Sequence, residues 1–258
     1  MHIDLFDTEA FERACARVIG VDRPRAGIGT LGEKTLHAIL KHFLEPDESR
    51  HEIRIGGYYA DICGPYGIVE IQTAGFSRLR PKLKAFLPEY PVTVVYPVPC
   101  VKWLQWVDEE TGEITKKRKS PKVGRPSEVF RELVYMKPCL GEERLTLLIL
   151  LIDMEEYRLL NGWSTDKKRG SSRFDRIPTR IADAVRVTLP GGLDQLMPAD
   201  LPESFTSRQY ADASGMRLSD AQRAINVLLA AGRICVVGKV GRLRLYETAV
   251  QEPESTVL

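Results

Sequence analysis

Apolar positions near the start of the chain recur at helical spacing in two segments. The first segment is 8–19, and the second is 30–44, which Pro46 ends. The apolar positions are Phe11, Ala14, Val18 and Ile19, followed by Leu36, Ile39, Leu40 and Phe43. Each set forms one stripe, so the pattern predicts two amphipathic helices that each bury one face.

A different pattern follows, with three short extended segments and tight glycine-rich connections. The segments are 51–55, 58–63 and 67–73. Connections this short favour an antiparallel meander. Segment 76–87 then predicts a helix, and Val92–Val98 is a β-branched run typical of a buried strand. The order of helix, three strands, helix and strand predicts an α/β (α+β) fold with a mixed sheet.

The middle of the chain predicts an extension of this sheet. Segments 101–107 and 113–119 predict a hairpin, and 145–153 a further strand. Segment 127–136 predicts a helix. Two basic stretches, 115–125 and 166–180, are interpreted as surface segments, the second of them as a loop.

The last part of the chain has its own helical and strand signals after a proline- and glycine-rich boundary near 190–202. Thr206–Gln209 and Ser219–Gln222 both fit a capping box. The second box opens a predicted helix, which Gly232 ends. Its apolar stripe is Ala221, Ala224, Ile225, Leu228 and Leu229. Segments 233–237 and 242–246 predict a β-hairpin. We therefore predict two domains, residues 1–190 and 200–248.

Composition favours an ordinary globular protein over disulfide-rich, secreted and membrane proteins, but it does not indicate a function. The 258 residues are 43% hydrophobic and 28% charged, with a net charge of +2, as in ordinary globular proteins. Five cysteines without a CxxC pair argue against a disulfide framework and a cysteine zinc site. The N-terminal residues do not fit a signal peptide, and no apolar run approaches the ~20 residues of a membrane helix. We expect a cytoplasmic protein with no membrane partner.

The residues most suggestive of chemistry lie in the predicted meander. Glu70 and Gln72 fall on one face of a strand with apolar neighbours, and Asp61 lies in the strand before it. A hairpin closing through Gly64–Gly67 would bring the two carboxylates together, where they repel unless a cation lies between them. Oxygen ligands of this kind suit Mg²⁺ or Mn²⁺. The alternatives are a turn-capping role for Asp61 and a solvent-facing strand edge for Glu70.

The order of elements over residues 28–98, together with these residues, resembles the PD-(D/E)xK (restriction-endonuclease-like) nuclease superfamily. The resemblance implies that Asp61, Glu70 and Glu33 are metal ligands and that these three, with Gln72, form the catalytic set. Gln72 falls where similar nucleases usually carry lysine, and Ala60 replaces the proline of the motif. Glu33 also fits a helix-capping role. His37, one turn further on, is interpreted as a partly buried surface residue.

The C-terminal segment 203–247 is similar to winged-helix domains, whose second helix and hairpin often contact DNA. This resemblance and the basic stretches give a set of predicted nucleic-acid contacts. They are Arg78, Lys82, Lys117, Arg118, Lys168, Arg169, Gln222, Arg223, Asn226, Lys239, Arg242 and Arg244. The resemblances together imply a Mg²⁺- or Mn²⁺-dependent endodeoxyribonuclease that binds DNA, with a homodimer left open. Two alternatives remain: a catalytically inactive nuclease fold that binds DNA as a regulator, and a protein-interaction module.

Overall fold

A computed structural model of the chain describes residues 4–19, 32–108, 110–163 and 169–249, without the side chains of residues 32–34, 162–163 and 169–170. The helices are α1 (Thr8–Ile19), α2 (Gly32–Leu44), α3 (Arg80–Phe86), α4 (Phe130–Leu133), α5 (Ser207–Ser214) and α6 (Leu218–Ala230). The strands are β1 (His51–Ile55), β2 (Tyr58–Gly64), β3 (Gly67–Ile71), β4 (Val92–Val107), β5 (Arg118–Lys119), β6 (Leu145–Trp163), β7 (Arg169–Thr188), β8 (Ser204–Phe205), β9 (Ile234–Val240) and β10 (Leu243–Thr248).

The fold is mixed α/β, as the sequence predicts. Within the described ranges a seven-stranded sheet has the order β1-β2-β3-β4-β6-β7, and β5 adds to β4. Strands β1 to β3 form the predicted antiparallel meander. Strands β3, β4 and β6 run parallel, and β7 returns antiparallel to β6. The connection from β3 to β4 passes through α3, which the sequence also predicts.

Three strands continue far beyond the carboxyl end of β3 and form what we call the sheet arm, made of residues 101–107, 153–163 and 169–180 with β5. The last β3 residue pairs with Val95, whereas β4 reaches Val107. At about 3.3 Å per residue the arm extends roughly 35–40 Å past the end of β3. The predicted hairpin is present, since Val107 bridges Ile114 and Trp103 pairs with Lys119.

Several predicted boundaries in this region are wrong. Segment 166–180 is not a loop, because residues 169–180 belong to β7 (residues 166–168 lie outside the described part). Its basic residues instead pair across the sheet with acids of β6, as Arg180 does with Asp153. The two predicted strands 92–98 and 101–107 are one strand with an irregularity between Pro99 and Lys102. Strand β6 continues to Trp163.

The predicted helix 127–136 is wrong in length. It consists of a 3-10 turn at Pro126–Val129 and the single α-helical turn α4, with a further 3-10 turn at Lys137–Cys139. Predicted helix 76–87 likewise begins with a 3-10 turn before α3. Pro126, Pro138 and Pro81 each lie at the start of a separate helical turn, the position where a missing backbone N–H is tolerated.

Apolar residues form a core on each face of the large sheet. On one face, α1 and α2 cover Val95, Leu148 and Leu150, and Phe11 packs edge-on against Phe43. On the other face, α3 and α4 cover Val94, Leu147 and Ile149. Helix α2 also contacts the arm, where the Thr35 hydroxyl donates to Asp175 Oδ2 at 3.0 Å. No helix in the described ranges is long and apolar enough to cross a membrane.

The C-terminal part has the predicted order of two helices and a hairpin. Thr206 and Gln209 form the predicted capping box of α5. The second predicted box is wrong: the N-cap of α6 is Arg217, two residues before the predicted cap Ser219, and its side chain makes no capping bond. Val227 is fully buried, whereas Leu229 is only half-buried. These helices share the apolar cluster of α3 and α4, so α6 is buried on two sides.

Candidate functional site

The hairpin between β2 and β3 brings Asp61 beside Glu70. Ile62 pairs with Val69, and the backbone N–H of Asp61 donates to Glu70 Oε1 at 3.3 Å. Gly67 fixes this register, because it has a φ of 104° and an added Cβ would lie 2.2 Å from the carbonyl oxygen of Pro91. Only glycine fits such a position without moving the backbone.

Two helices supply a polar partner to each carboxylate, and we call these four residues the carboxylate site. From α2, His37 Nε2 lies 3.1 Å from Asp61 Oδ2, which also accepts the Ile71 N–H at 2.7 Å. From α3, Lys82 Nζ donates to both oxygens of Glu70, at 2.8 and 3.1 Å. The site therefore holds an ion pair and a His–Asp pair side by side.

The carboxylate site forms one wall of an open cleft of about 500 Å³. Lys41, Arg78 and Gln72 also line this cleft. The Lys41 ammonium pairs with Glu52 at the rim, and Arg78 is exposed. Three cations, Lys41, Arg78 and Lys82, therefore line the cleft beside the two carboxylates.

The two carboxyl groups differ in their affinity for a proton. Burial, followed by the neighbouring Asp61 charge, raises the pKa of Glu70 to about 7 despite its bonds to Lys82. Burial also acts to raise the pKa of Asp61, but the hydrogen bond and charge of His37 and the Ile71 N–H hold it below its ordinary value. A pair of carboxyls whose pKa values are driven apart is typical of functional sites.

Gln72 does not contact the carboxylates in this arrangement. It follows the end of β3, where its N–H donates to the Val95 carbonyl, and its side-chain amide donates to the carbonyl of Ala74. Glu33 lies in α2, but its side chain is outside the described part of the structure. Of the four residues predicted as catalytic, the structure thus brings Asp61 and Glu70 into contact.

The donor set fits a hard divalent cation. Both carboxylates are buried and adjacent, and the pKa of Glu70 is raised first by burial and then by repulsion from Asp61, which a cation between the carboxylates would relieve. Among the described residues, no group of three or more His, Cys, Asp or Glu is arranged to hold a metal ion. Two carboxylates with water and substrate oxygens are the ligands that Mg²⁺ commonly takes, so the pair suffices.

The other predicted nucleic-acid contacts are spread over the molecule. Arg78 and Lys82 line the cleft, whereas Lys117 and Arg118 lie on the sheet arm. Lys117 is bound to Glu155 and lies over the Trp103 ring. Lys168 lies outside the described residues, and Arg169 is described only as backbone in β7.

The predicted contacts in the C-terminal part are exposed but partly engaged. On α6, Arg223 donates to Asp220, and Asn226 accepts from Lys137 Nζ at 2.8 Å, while Gln222 is exposed. On the hairpin, Lys239 pairs opposite Arg244, and Arg242 lies in the turn between β9 and β10. These C-terminal residues are not among the residues that line the cleft of the carboxylate site.

The sequence did not predict the contacts of two residues of the carboxylate site, His37 and Lys82. His37 was interpreted as a partly buried surface residue; it is partly buried, and its ring also bonds to Asp61. Its helical spacing from Glu33 was the signal that it could line the site. Lys82 was predicted as a phosphate contact, and its bonds to Glu70 depend on how α3 packs on β3. No local pattern carries that information.

Comparison with known proteins identifies the family. Residues 34–188 match the family described as Domain of unknown function (DUF8091), and the chain belongs to it. A protein of Treponema pallidum (strain Nichols) described as uncharacterized is 33% identical over 227 residues, which cover 85% of this chain and 86% of that protein. No solved structure matches the chain. The matched range contains the carboxylate site and the sheet arm.

Proposed function

We propose that the protein is a Mg²⁺- or Mn²⁺-dependent nuclease of the PD-(D/E)xK type that hydrolyses phosphodiester bonds in DNA. The observation that carries the proposal is the pair of buried carboxylates, Asp61 and Glu70, on adjacent strands at the wall of an open cleft. The element order around them supports it: α2, the β1–β3 meander, α3 and a parallel β4.

Asp61 and Glu70 would hold the metal ion, with no other ligand required from the described residues. The bound ion would lower the pKa of a water and neutralise charge on the phosphate. His37 holds Asp61 in place through its bond to Oδ2, and the Ile71 N–H fixes the same oxygen. Glu70, with a pKa of about 7, would release its proton when the ion binds.

Lys82 takes the place of the lysine that similar nucleases carry at the position of Gln72. Its ammonium lies against both Glu70 oxygens, whereas the Gln72 amide is turned to the backbone. An ammonium beside the carboxylates can orient a water or a phosphate oxygen by donating hydrogen bonds. Arg78 at the cleft rim can bind the next phosphate.

The C-terminal part is proposed to be a winged-helix domain. The order of α5, α6 and the β9–β10 hairpin supports this assignment, as does the short β8 that pairs with β10. The basic residues of the hairpin, Lys239, Arg242 and Arg244, are exposed. They would contact the DNA backbone.

The test is cleavage of plasmid and linear DNA with Mg²⁺ or Mn²⁺ by the parent and two isosteric variants. Asp61→Asn and Glu70→Gln should each lower the rate at least about a hundredfold, because each removes a metal ligand worth several kcal/mol. Asp200→Asn and Glu89→Gln change exposed acids elsewhere and should cut at the parent rate. Full activity in both site variants would refute the assignment.

A second candidate function is DNA binding without cleavage. The observation that favours it is that the Lys82 ammonium already occupies both oxygens of Glu70, where a metal ion would bind. Titration of the folded parent with Mn²⁺ separates the two functions. Mn²⁺ binding that Asp61→Asn abolishes supports the nuclease, whereas DNA binding without Mn²⁺ binding or cleavage supports the second function.

A further inference from the structure

A basic surface lies far along the chain from the carboxylate site, where residues 122–131 meet the C-terminal helices. Residues 122–131 form one side of it, and residues 215–223, at the turn from α5 to α6, form the other. The space between them is a groove of about 720 Å³, which we call the basic groove. The sequence places these two segments about ninety positions apart, so the groove exists only in the folded chain.

Positive charge is in excess in the basic groove. Its ionisable lining residues are five cations and two acids, a surplus of three positive charges. They are Lys122, Arg125, Arg131, Arg217, Arg223, Glu128 and Asp220. The whole chain has a net charge of only +2, so the groove concentrates more positive charge than the molecule carries overall.

The two acids are already engaged by some of these cations. Asp220 accepts both ends of the Arg131 guanidinium, at 3.1 and 2.7 Å, and also binds Arg223. Glu128 accepts from Lys122 at 2.8 Å and from Arg131 at 3.0 Å. Asp220 therefore joins the two sides of the groove, Glu128 is bonded within one side, and the charge of each acid is already balanced by neighbouring cations.

Two arginines remain without a carboxylate within ion-pair distance among the described residues. Arg217 is exposed at the start of α6, and Arg125 uses one nitrogen to donate to the Ser214 carbonyl at 2.6 Å. The two arginines line the basic groove, one from each side. Planar guanidinium groups recognise phosphate with paired hydrogen bonds.

We infer that the basic groove binds the phosphodiester backbone of a nucleic acid, an inference that rests on the proposed function and names a second contact of its substrate. Arg125 and Arg217 bind phosphate oxygens directly, and Lys122 and Arg223 add charge at the rim. The bonds that tie α6 to residues 131 and 137 keep the groove preformed. The contacts next to α6 are thus made by its N-cap residue Arg217 and by Arg223, both beside residues 122–131.

The experiment measures binding of a fluorescent 20-base-pair duplex to the full chain in EDTA at several salt concentrations. Arg125→Ala with Arg217→Ala should weaken binding on the order of tenfold and lower the salt slope by about two, because two phosphate contacts are lost. Arg54→Ala with Arg208→Ala is the matched control, since both arginines are exposed outside the groove. It should leave the affinity and slope unchanged.

Arg125 also donates to the Ser214 carbonyl, so Arg125→Ala could weaken the packing of the C-terminal part as well as DNA binding. A second pair of substitutions separates the two effects. Lys122→Ala with Arg217→Ala leaves that bond intact and should show a similar loss at an unchanged melting temperature. Parent-like affinity and slope in both groove variants would overturn the inference, even if the chain cuts DNA. Competition by polyglutamate as strong as that by DNA would also overturn it. If Asp61→Asn loses cleavage but still binds DNA, the inference about the basic groove stands. If the parent neither binds nor cuts DNA, both the inference and the proposed function are refuted.

Discussion

Glu70 and Glu156 are two buried glutamates of the same sheet with opposite surroundings. Glu70 is 1% exposed and Glu156 0% exposed, so burial hardly distinguishes them. Glu70 has one ammonium and a neighbouring carboxyl, and its pKa is raised to about 7. Burial also acts to raise the pKa of Glu156, but Lys102, Arg176 and Arg158 overcome it and lower the pKa to about 2.

The difference shows what a deeply buried carboxylate needs in order to stabilise the fold as a charged group. Glu156 bonds to Lys102, Arg158 and Arg176 within 3.2 Å, and Arg173 lies 3.9 Å away. These four cations more than balance the single negative charge of Glu156, and their bonds join β4, β6 and β7 in the arm. Glu70 is under-neutralised, so it favours an additional cation. We regard this contrast as the physical reason to place chemistry at Glu70 and not at Glu156.

The largest effect should come from removing each carboxylate in turn. Glu156→Gln leaves four cations around a neutral amide and should lower the free energy of unfolding by about 3–5 kcal/mol, as breaking a buried ion pair does. Glu70→Gln removes a repulsion from Asp61 and should be neutral or stabilising at pH 8. Urea unfolding of both variants at that pH measures the difference. Equal destabilisation by the two would break the comparison.

A pH titration of stability should separate the same two residues. The folded chain keeps a proton on Glu70 between its ordinary pKa of 4.5 and about 7, while the unfolded chain releases it. The free energy of unfolding contributed by Glu70 therefore falls as pH rises through this window, by at most about 3 kcal/mol. Glu156 stabilises above pH 4.5, and its contribution is lost as pH falls toward 2.

Urea unfolding at intervals from pH 4 to 8 tests the first of these slopes. The difference between the parent and Glu70→Gln should shrink or reverse as the pH rises. A difference that grows with pH would mean that Glu70 is stabilised as a carboxylate in the folded chain. The physical basis for a cation site would then be absent.

Changing the cation beside Glu70 should affect activity more than stability. Lys82→Gln should lower the proposed DNA cleavage roughly a hundredfold or more, because one positioned proton-transfer or donor group contributes about 10²–10⁴ in rate. Adding Gln72→Lys to that variant should restore part of the rate, because it returns a lysine to the neighbouring position. DNA cleavage under single-turnover conditions measures both. Lys84→Gln, an exposed lysine of α3, is the matched control.

The smallest effect on stability should come from removing one of the four cations around Glu156. Arg173 is 3.9 Å away with 44% of its side chain exposed, so Arg173→Gln should change the free energy of unfolding by less than about 0.5 kcal/mol. Three closer cations remain. A loss comparable to that of Glu156→Gln would show that Arg173 contributes as much as those cations. Thermal melting at moderate salt is sufficient to decide.

The sequence predicted the meander and the adjacency of Asp61 and Glu70 because local signals determine both. Glycine pairs mark the turns, and alternation between them sets the faces of β2 and β3. The arm was missed for the opposite reason. Arg173 and Arg176 read as a solvated loop in any local window, since their partner Glu156 lies on the preceding strand, about twenty residues earlier. The bond from Lys82 to Glu70 likewise depends on the packing of α3.

Helix α2 joins the sheet arm to the carboxylate site in a mechanical sense. Thr35 bonds to Asp175 on the arm, and two positions later His37 bonds to Asp61. These two residues are separated by about 3 Å of helix axis, and a hydrogen-bonded helix hardly changes length over that distance. A displacement of the arm at Asp175 therefore reaches the residue that bonds to Asp61 within a single turn of α2. The geometry of the carboxylate site thus depends on where the arm lies.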